Sequence, residues 1–317
     1  MTSLTRNETA RFLAEHDRFV IVTHRRPDGD TIGTSALLCL GLRQLGKTAH
    51  VLQNPEITEK YAHLHAGLEK AWAEEGDTVV SVDVASPNML ADAARNLESR
   101  IALRIDHHAT ATSFTPWELV DGDAAACGEI VYDVLRQMSA KLDVPMAEAL
   151  YTAISTDTGC FRYANTTANT LRVAADCMEA GADTFRLNQV LFETNSLGRL
   201  RLQGWLIENA LFLQDKRIVI CPLPRAKEQE LGLTEDDLEN ISGFPRSIEG
   251  VKIAATLRQE PGGRIKLSVR AVPGYDAAAI CREFGGGGHK GAAGASMNLS
   301  MEEAVSALIA ALPVLDN

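Results

Sequence analysis

The stretch Thr23-His24-Arg25-Arg26-Pro27-Asp28-Gly29-Asp30 gathers one imidazole and two carboxylates into a tight Pro/Gly turn. An apolar run, Phe19-Val20-Ile21-Val22, precedes it, and Thr31 to Leu40 follows with a helical pattern. The cluster therefore sits at the carboxyl end of a buried strand, the edge at which open α/β sheets bind ligands. Hard carboxylate oxygens mixed with imidazole nitrogen suit a divalent ion such as Mn²⁺ or Mg²⁺. A structural reading competes, with Asp30 as a helix N-cap and Asp28 as a turn residue. The pattern then recurs. Thr78-Val79-Val80-Ser81-Val82 ends on Asp83, and Ile101-Ala102-Leu103-Arg104-Ile105 runs into Asp106-His107-His108. Capping explains one such strand end more readily than three. Asp157 adds a carboxylate, Gly159 lets the backbone turn, and Arg162 offers a fork for phosphate.

Elements must bring these residues together. Strands alternating with helices (19–23, to about Leu45, 48–52, 78–83, 87–97, 101–105, 123–139, 145–156, 167–180 and 184–194) predict an α/β fold with a doubly wound parallel sheet. His63 and His65 read as solvated helix or loop. From Ser196 to Leu213 one helical pattern continues, read as a connector. Beyond it, strands at 217–221, 251–258 and 264–269, with a Pro261-Gly262-Gly263 turn, predict a hairpin in an antiparallel or mixed sheet packed against helices near 234–240, 275–284 and 301–312. The expected domains are 1–194, a linker over 195–215, and 216–317. In the last, Gly285-Gly286-Gly287-Gly288-His289-Lys290 reads as an anion-binding nest, with an Ala/Gly helix start behind it, against the alternative of a flexible linker. A net charge of −11 argues against gripping long duplex nucleic acid through its phosphates. Six cysteines without a C-x-x-C pair read as reduced, buried thiols. With no signal peptide and no membrane-length apolar run, the chain reads as cytoplasmic.

These residues resemble the DHH/DHHA1 phosphoesterases, motif by motif and in order: Thr23-His24…Asp28-Gly29-Asp30, then Asp83, then Asp106-His107-His108, then Asp157-Thr158-Gly159-Cys160-Phe161-Arg162, and Gly285-Gly286-Gly287-Gly288-His289. The resemblance covers nearly the whole chain and implies a DHH domain joined by a helical linker to a smaller α/β DHHA1 domain. Length and layout most resemble the nano-RNase/pAp phosphatase group. Cys160 departs from the family, where Ser is common. The resemblance implies two divalent ions, Mn²⁺ before Mg²⁺. One is held by His24, Asp28 and Asp83, the other by Asp30, Asp83, His107 and Asp157. An activated hydroxide then attacks phosphorus. His108 would act on the phosphate or leaving oxygen, oriented through Asp106, while Arg162, Arg258, Arg270, Gly286, Gly287, Gly288 and His289 would hold substrate. The implied substrates are short oligoribonucleotides and 3′-phosphoadenosine 5′-phosphate. A cyclic or linear dinucleotide phosphodiesterase, or an idle nucleotide-binding protein, is the alternative. Oligomeric state stays open, a homodimer included.

Overall fold

The computed structural model describes residues 2–108 and 112–315. The chain divides into two compact units, Met1–Thr194 and Asn195–Asn317. In the first, strands β1 (Thr2–Ser3), β2 (Phe19–Val22), β3 (Ala49–Leu52), β4 (Glu69–Lys70), β5 (Thr78–Val82), β6 (Ile101–Asp106) and β7 (Trp117–Val120) form one sheet. Its order is β1-β7-β6-β5-β2-β3-β4, and every pairing is parallel. Strands of a parallel sheet are buried on both faces, which is why β2 reads as an unbroken apolar run and β5 as a run of valines interrupted by the buried Ser81. The order reverses between β2 and β5: β3 and β4 lie beyond one, β6 and β7 beyond the other. His24 and Asp83 leave the sheet at this switch point, where ligands bind in open α/β sheets.

Helices α1 (Arg6–Glu15), α2 (Gly29–Gln44), α3 (Glu59–Ala62), α4 (Cys127–Gln137), α5 (Val144–Asp157) and α6 (Ala168–Glu179) complete most of this unit. The α2 helix is buried on nearly all sides. A Cβ on Gly33 would stand 2.3 Å from the Ala149 carbonyl oxygen, and one on Gly29 2.4 Å from Thr156 Oγ1. Only glycine permits so close a crossing, and it sets the start of α2 beside the end of α5. On the other face of the sheet lie Leu90, Ala91, Ala94 and Leu97. The helix expected over 87–97 is instead two 3₁₀ segments, Pro87–Met89 and Asp92–Arg100. Ala91, Ala94 and Leu97 recur every three residues, the 3₁₀ period. The helix expected over 184–194 is α-helical at Thr184–Asn188 and then a π-turn at Gln189–Glu193. His65 is not solvated. It is buried under α2, with Nε2 2.9 Å from Ser35 Oγ, and burial lowers its pKa to about 4.

The second unit holds a mixed sheet of β8 (Leu211–Leu213), β9 (Ile218–Leu223), β10 (Ile253–Gln259), β11 (Ile265–Ala271), β12 (Gly287–Gly288) and β13 (Ala292–Met297), in the order β12-β13-β11-β10-β9-β8. Only β9 and β10 run parallel. The helical pattern from Ser196 stops at Glu208, capped by Asn209, and residues 211–213 form the edge strand β8. Leu202 and Leu206 of that helix pack with Val219 and Cys221 inside the second unit's core. The segment behind the glycines is β13, with the burial alternation of a strand, and no helix starts there.

Candidate metal centre

His24 follows β2. Its Nδ1 lies 2.7 Å from the Arg25 carbonyl oxygen. A carbonyl only accepts, so Nδ1 carries a proton, and Nε2 is the nitrogen that offers a lone pair once the ring is neutral. That nitrogen faces Asp28 Oδ1 at 3.8 Å and Asp83 Oδ2 at 3.6 Å. Asp83 comes just after β5 with φ at 56°, in the left-handed region. Such backbone costs about 1–3 kcal/mol in a non-glycine residue and persists where its surroundings demand it. Thr31 Oγ1 donates to Asp83 Oδ2 at 2.5 Å. Asp83 Oδ1 is buried with no hydrogen-bond partner and lies 3.6 Å from His107 Nε2.

Asp28 and Asp30 each do structural work as well. Asp28 caps α2 by accepting from the Thr31 N–H. Asp30 is fully buried, and its carboxylate accepts from Cys127 N (2.7 Å), Gly128 N (3.1 Å) and Thr34 Oγ1 (2.8 Å). It thereby satisfies the first N–H groups of α4, whose own N-cap, Ala126, makes no side-chain bond. The expected choice between cap and ligand geometry is not a choice here. Both carboxylates cap a helix and still face the cluster. Asp157 is the last residue of α5, and its Oδ2 lies 3.7 Å from His107 Nε2, which is also 3.6 Å from Asp30 Oδ2.

Three ligand groups result: His24, Asp28 and Asp83; Asp30, His107 and Asp157; and Asp83, His107 and His108. Within the first two, the separations of 3.6–3.8 Å are too long for hydrogen bonds. They suit two ligands on one cation: at metal–ligand bonds of about 2.1 Å, ligand pairs lie about 3.0 Å (cis) to 4.2 Å (trans) apart. Electrostatics agree. Burial, then the neighbouring Asp83, pushes Asp30 well above the usual carboxylate range, and burial raises Asp157 to about 7. Burial alone would depress His24 and His107, yet the facing carboxylates outweigh it and lift both to about 9. Crowded acidic groups and an orphaned anionic oxygen make a site that cations stabilise.

His108 is turned by Asp106. Asp106 Oδ1 lies 2.8 Å from His108 Nδ1 and also accepts the backbone N–H groups of His107 and His108. Asp106 itself is fully buried and stands in none of the three groups. Arg162 is exposed, and its Nε donates to the Gly159 carbonyl. Gly159, Cys160 and Phe161 are all left-handed, with φ of 57–60°.

In the second unit the expected contacts diverge. Arg258 closes its fork on Glu228 (2.7 Å) and Glu235 (3.0 Å), both within the same unit. Arg270 donates from Nη1 to the Val269 carbonyl. The glycine run is neither a linker nor a simple nest. The N–H groups of Gly285, Gly286 and His289 donate to the carbonyls of Arg282, Cys281 and Ala292. Gly286 and Gly288 press against β13: a Cβ on Gly286 would stand 2.2 Å from the Gly294 carbonyl oxygen. His289 and Lys290 are exposed at the β12–β13 turn. Sequence reasoning also passed over Thr31, Asn165 and the buried pair Arg104–Glu118. A charge in mid-strand was the one signal, at Arg104.

A model of the DHH family N-terminal domain matches residues 18–154, and one of the DHHA1 domain matches 215–313. The bifunctional oligoribonuclease and PAP phosphatase NrnA of Thermus thermophilus is 32% identical over 297 residues, 92% of this chain and 88% of that protein. An exopolyphosphatase-related protein from Bacteroides fragilis shares the fold at a TM-score of 0.85 and 24% identity, covering 96% of this chain and 94% of its own. RecJ of Thermus thermophilus, solved in complex with Mn²⁺, has a TM-score of 0.54 at 16% identity, over 96% of this chain and 53% of its own. With that likeness spanning both units, the chain belongs to the DHH family, carries a DHHA1 domain, and is a hydrolase acting on phosphoester bonds.

Proposed function

We propose that this protein hydrolyses very short oligoribonucleotides to mononucleotides, and 3′-phosphoadenosine 5′-phosphate to AMP, with two divalent ions, manganese before magnesium. The observation that carries the reading is the pair of ligand groups meeting at Asp83, whose two carboxylate oxygens face His24 on one side and His107 on the other. His24, Asp28 and Asp83 would hold one ion, and Asp30, Asp83, His107 and Asp157 the other. Bound there, the ions would supply an acidified water and offset charge on the phosphoryl oxygens. The substrate class follows the Thermus thermophilus relative, and manganese follows RecJ and the mixed oxygen–nitrogen donor set.

The protein's own residues do the rest. Asp106 holds the His108 imidazole by its Nδ1–H, leaving Nε2 for the phosphate or the departing oxygen. As the water oxygen bonds to phosphorus and the ester P–O bond breaks, His108 delivers a proton to the leaving alkoxide. Arg162, Arg258, Arg270, Gly286, Gly287, Gly288 and His289 would contact the phosphates and base. Six free cysteines, all but Cys160 buried, fit a reducing compartment such as the cytoplasm.

The test is a panel on metal-stripped enzyme reloaded with Mn²⁺: 3′-phosphoadenosine 5′-phosphate, RNA of two to five nucleotides, RNA of twenty, and linear and cyclic dinucleotides. Turnover of the first two classes, and its loss by more than tenfold in folded Asp83→Asn, is expected. Preference for cyclic dinucleotides would replace the substrate reading, and an active Asp83→Asn would end the shared-ligand role.

A further inference from the structure

Asp30, His107 and Asp157 come from three separate segments, and two of them lean on one turn. The Ala124 carbonyl oxygen faces His107 Nδ1 at 3.3 Å, while the N–H groups of Cys127 and Gly128 hold Asp30. Asp157 ends α5, so its carbonyl has no donor further along the helix. Asn165 supplies one. Its Nδ2, which carries two hydrogens, lies 3.2 Å from the Asp157 carbonyl oxygen and 3.0 Å from that of Ala125. A single side-chain amide thus ties the backbone of the third residue of the group, Asp157, to the turn that supports the other two.

The intervening chain is built to return Asn165 to this place. Three successive left-handed residues, Gly159 to Phe161, reverse its direction after α5. A Cβ on Gly159 would stand 2.3 Å from the Tyr163 ring, so the return also packs tightly. The Thr166 N–H then closes a turn on the Tyr163 carbonyl at 3.1 Å. Asn165 is exposed, so truncating it opens no core cavity.

We propose that Asn165 is a positioning residue for the second ion, fixing Asp157 relative to Asp30 and His107. This rests on the two-ion reading above. Outer partners of metal ligands typically change affinity by about 10–100-fold when removed. In the metal-stripped full chain, calorimetric Mn²⁺ titration of Asn165→Ala and Asn165→Asp should show one site weakened by about that factor and the other unchanged. The carboxamide's donors are absent in both variants, and only the second keeps its shape. Electron paramagnetic resonance at two equivalents of Mn²⁺ should show isolated ions where the wild type shows a coupled pair. Melting of the metal-free proteins should stay within a degree or two of wild type. Two unchanged sites in the variants, or equal weakening of both with a lower melting temperature, would overturn the proposal and leave the two-ion reading intact. A wild type that binds a single ion would overturn both.

Discussion

His24 and His107 decide how the centre takes up metal. Their pKa values stand near 9 because facing carboxylates outweigh burial, so both imidazoles carry a proton at neutral pH in the metal-free protein. A metal ligand must be deprotonated, so proton and metal compete for the same nitrogens. Mn²⁺ affinity should therefore climb steeply as pH rises from about 7 to 9, where the two imidazole protons must leave along with any still held by Asp30 and Asp157, and level off above about 9. Calorimetry in buffers of different ionisation enthalpy would count the protons released at pH 7 and again at pH 9.5. His24→Ala should remove about one proton from the neutral-pH count. Affinity that ignores pH across this range would mean that the two imidazoles do not face the ions. At this scale the sequence was readable where residue type and strand position coincide, as for Asp83 or His107. It was silent on Thr31 and Asn165, because a hydroxyl or amide beside a ligand has no spacing rule and is fixed only by the tertiary fold.

Among the elements, β6 and β7 carry a charge where a parallel strand normally has none. Arg104 is fully buried, with Nη2 3.3 Å from the Glu118 carboxylate and Nη1 donating to the carbonyls of Ala85 and Thr112. Glu118 in turn accepts from Ser113, Phe114 and Thr115. The pair therefore braces the backbone two residues after Asp83 and the segment that leads into β7. Removing one partner leaves a buried charge unmatched, a loss of about 3–5 kcal/mol, whereas replacing both by apolar residues is often neutral. Arg104→Met and Glu118→Gln should each lower the melting temperature markedly, and the double variant Arg104→Met with Glu118→Gln should recover the part due to the unmatched charge. The double variant should still turn over more slowly, because the carbonyls of Ala85 and Thr112 lose their donor. Single variants within 1 kcal/mol of wild type would show the pair to be solvated and dispensable. Glu118 and brevity together explain why β7 was not foreseen: Trp117-Glu118-Leu119-Val120 leaves two adjacent aliphatic residues, whereas three apolar residues precede Arg104 in β6. The two-residue strands β1, β4 and β12 are too short for any periodicity. In 87–100 the three-residue spacing of alanine and leucine looked helical but was not α-helical.

Across the whole molecule the metal-type ligands and the glycine-rich hairpin fall in different units. Every residue of the three ligand groups lies in the first unit, whereas the β12–β13 hairpin with His289 at its turn lies in the second. In the sequence, the glycine run and the change from alternating helices and strands to hairpins both fall beyond residue 215. Sequence reasoning misjudged the helix 197–208, whose buried Leu202 and Leu206 belong to the second core, because one apolar stripe looks the same on a connector as on a docked helix. With a net charge of −11, affinity for a polyanion depends on local cationic and polar groups rather than on a long basic track. His289→Ala should then leave Mn²⁺ affinity unchanged, since His289 lies in the unit that holds none of the ligand groups. It should raise KM for 3′-phosphoadenosine 5′-phosphate, by a margin that reflects a charge-assisted bond of about 1.5–3 kcal/mol, or about 10–150-fold. A nitrophenyl phosphodiester, too small to offer a second phosphate, should lose far less. Calorimetry for the metal and steady-state kinetics on both substrates separate the outcomes. Equal losses on the two substrates would make His289 part of the fold rather than of substrate recognition, and weakened metal binding would couple the second unit to the centre in the first.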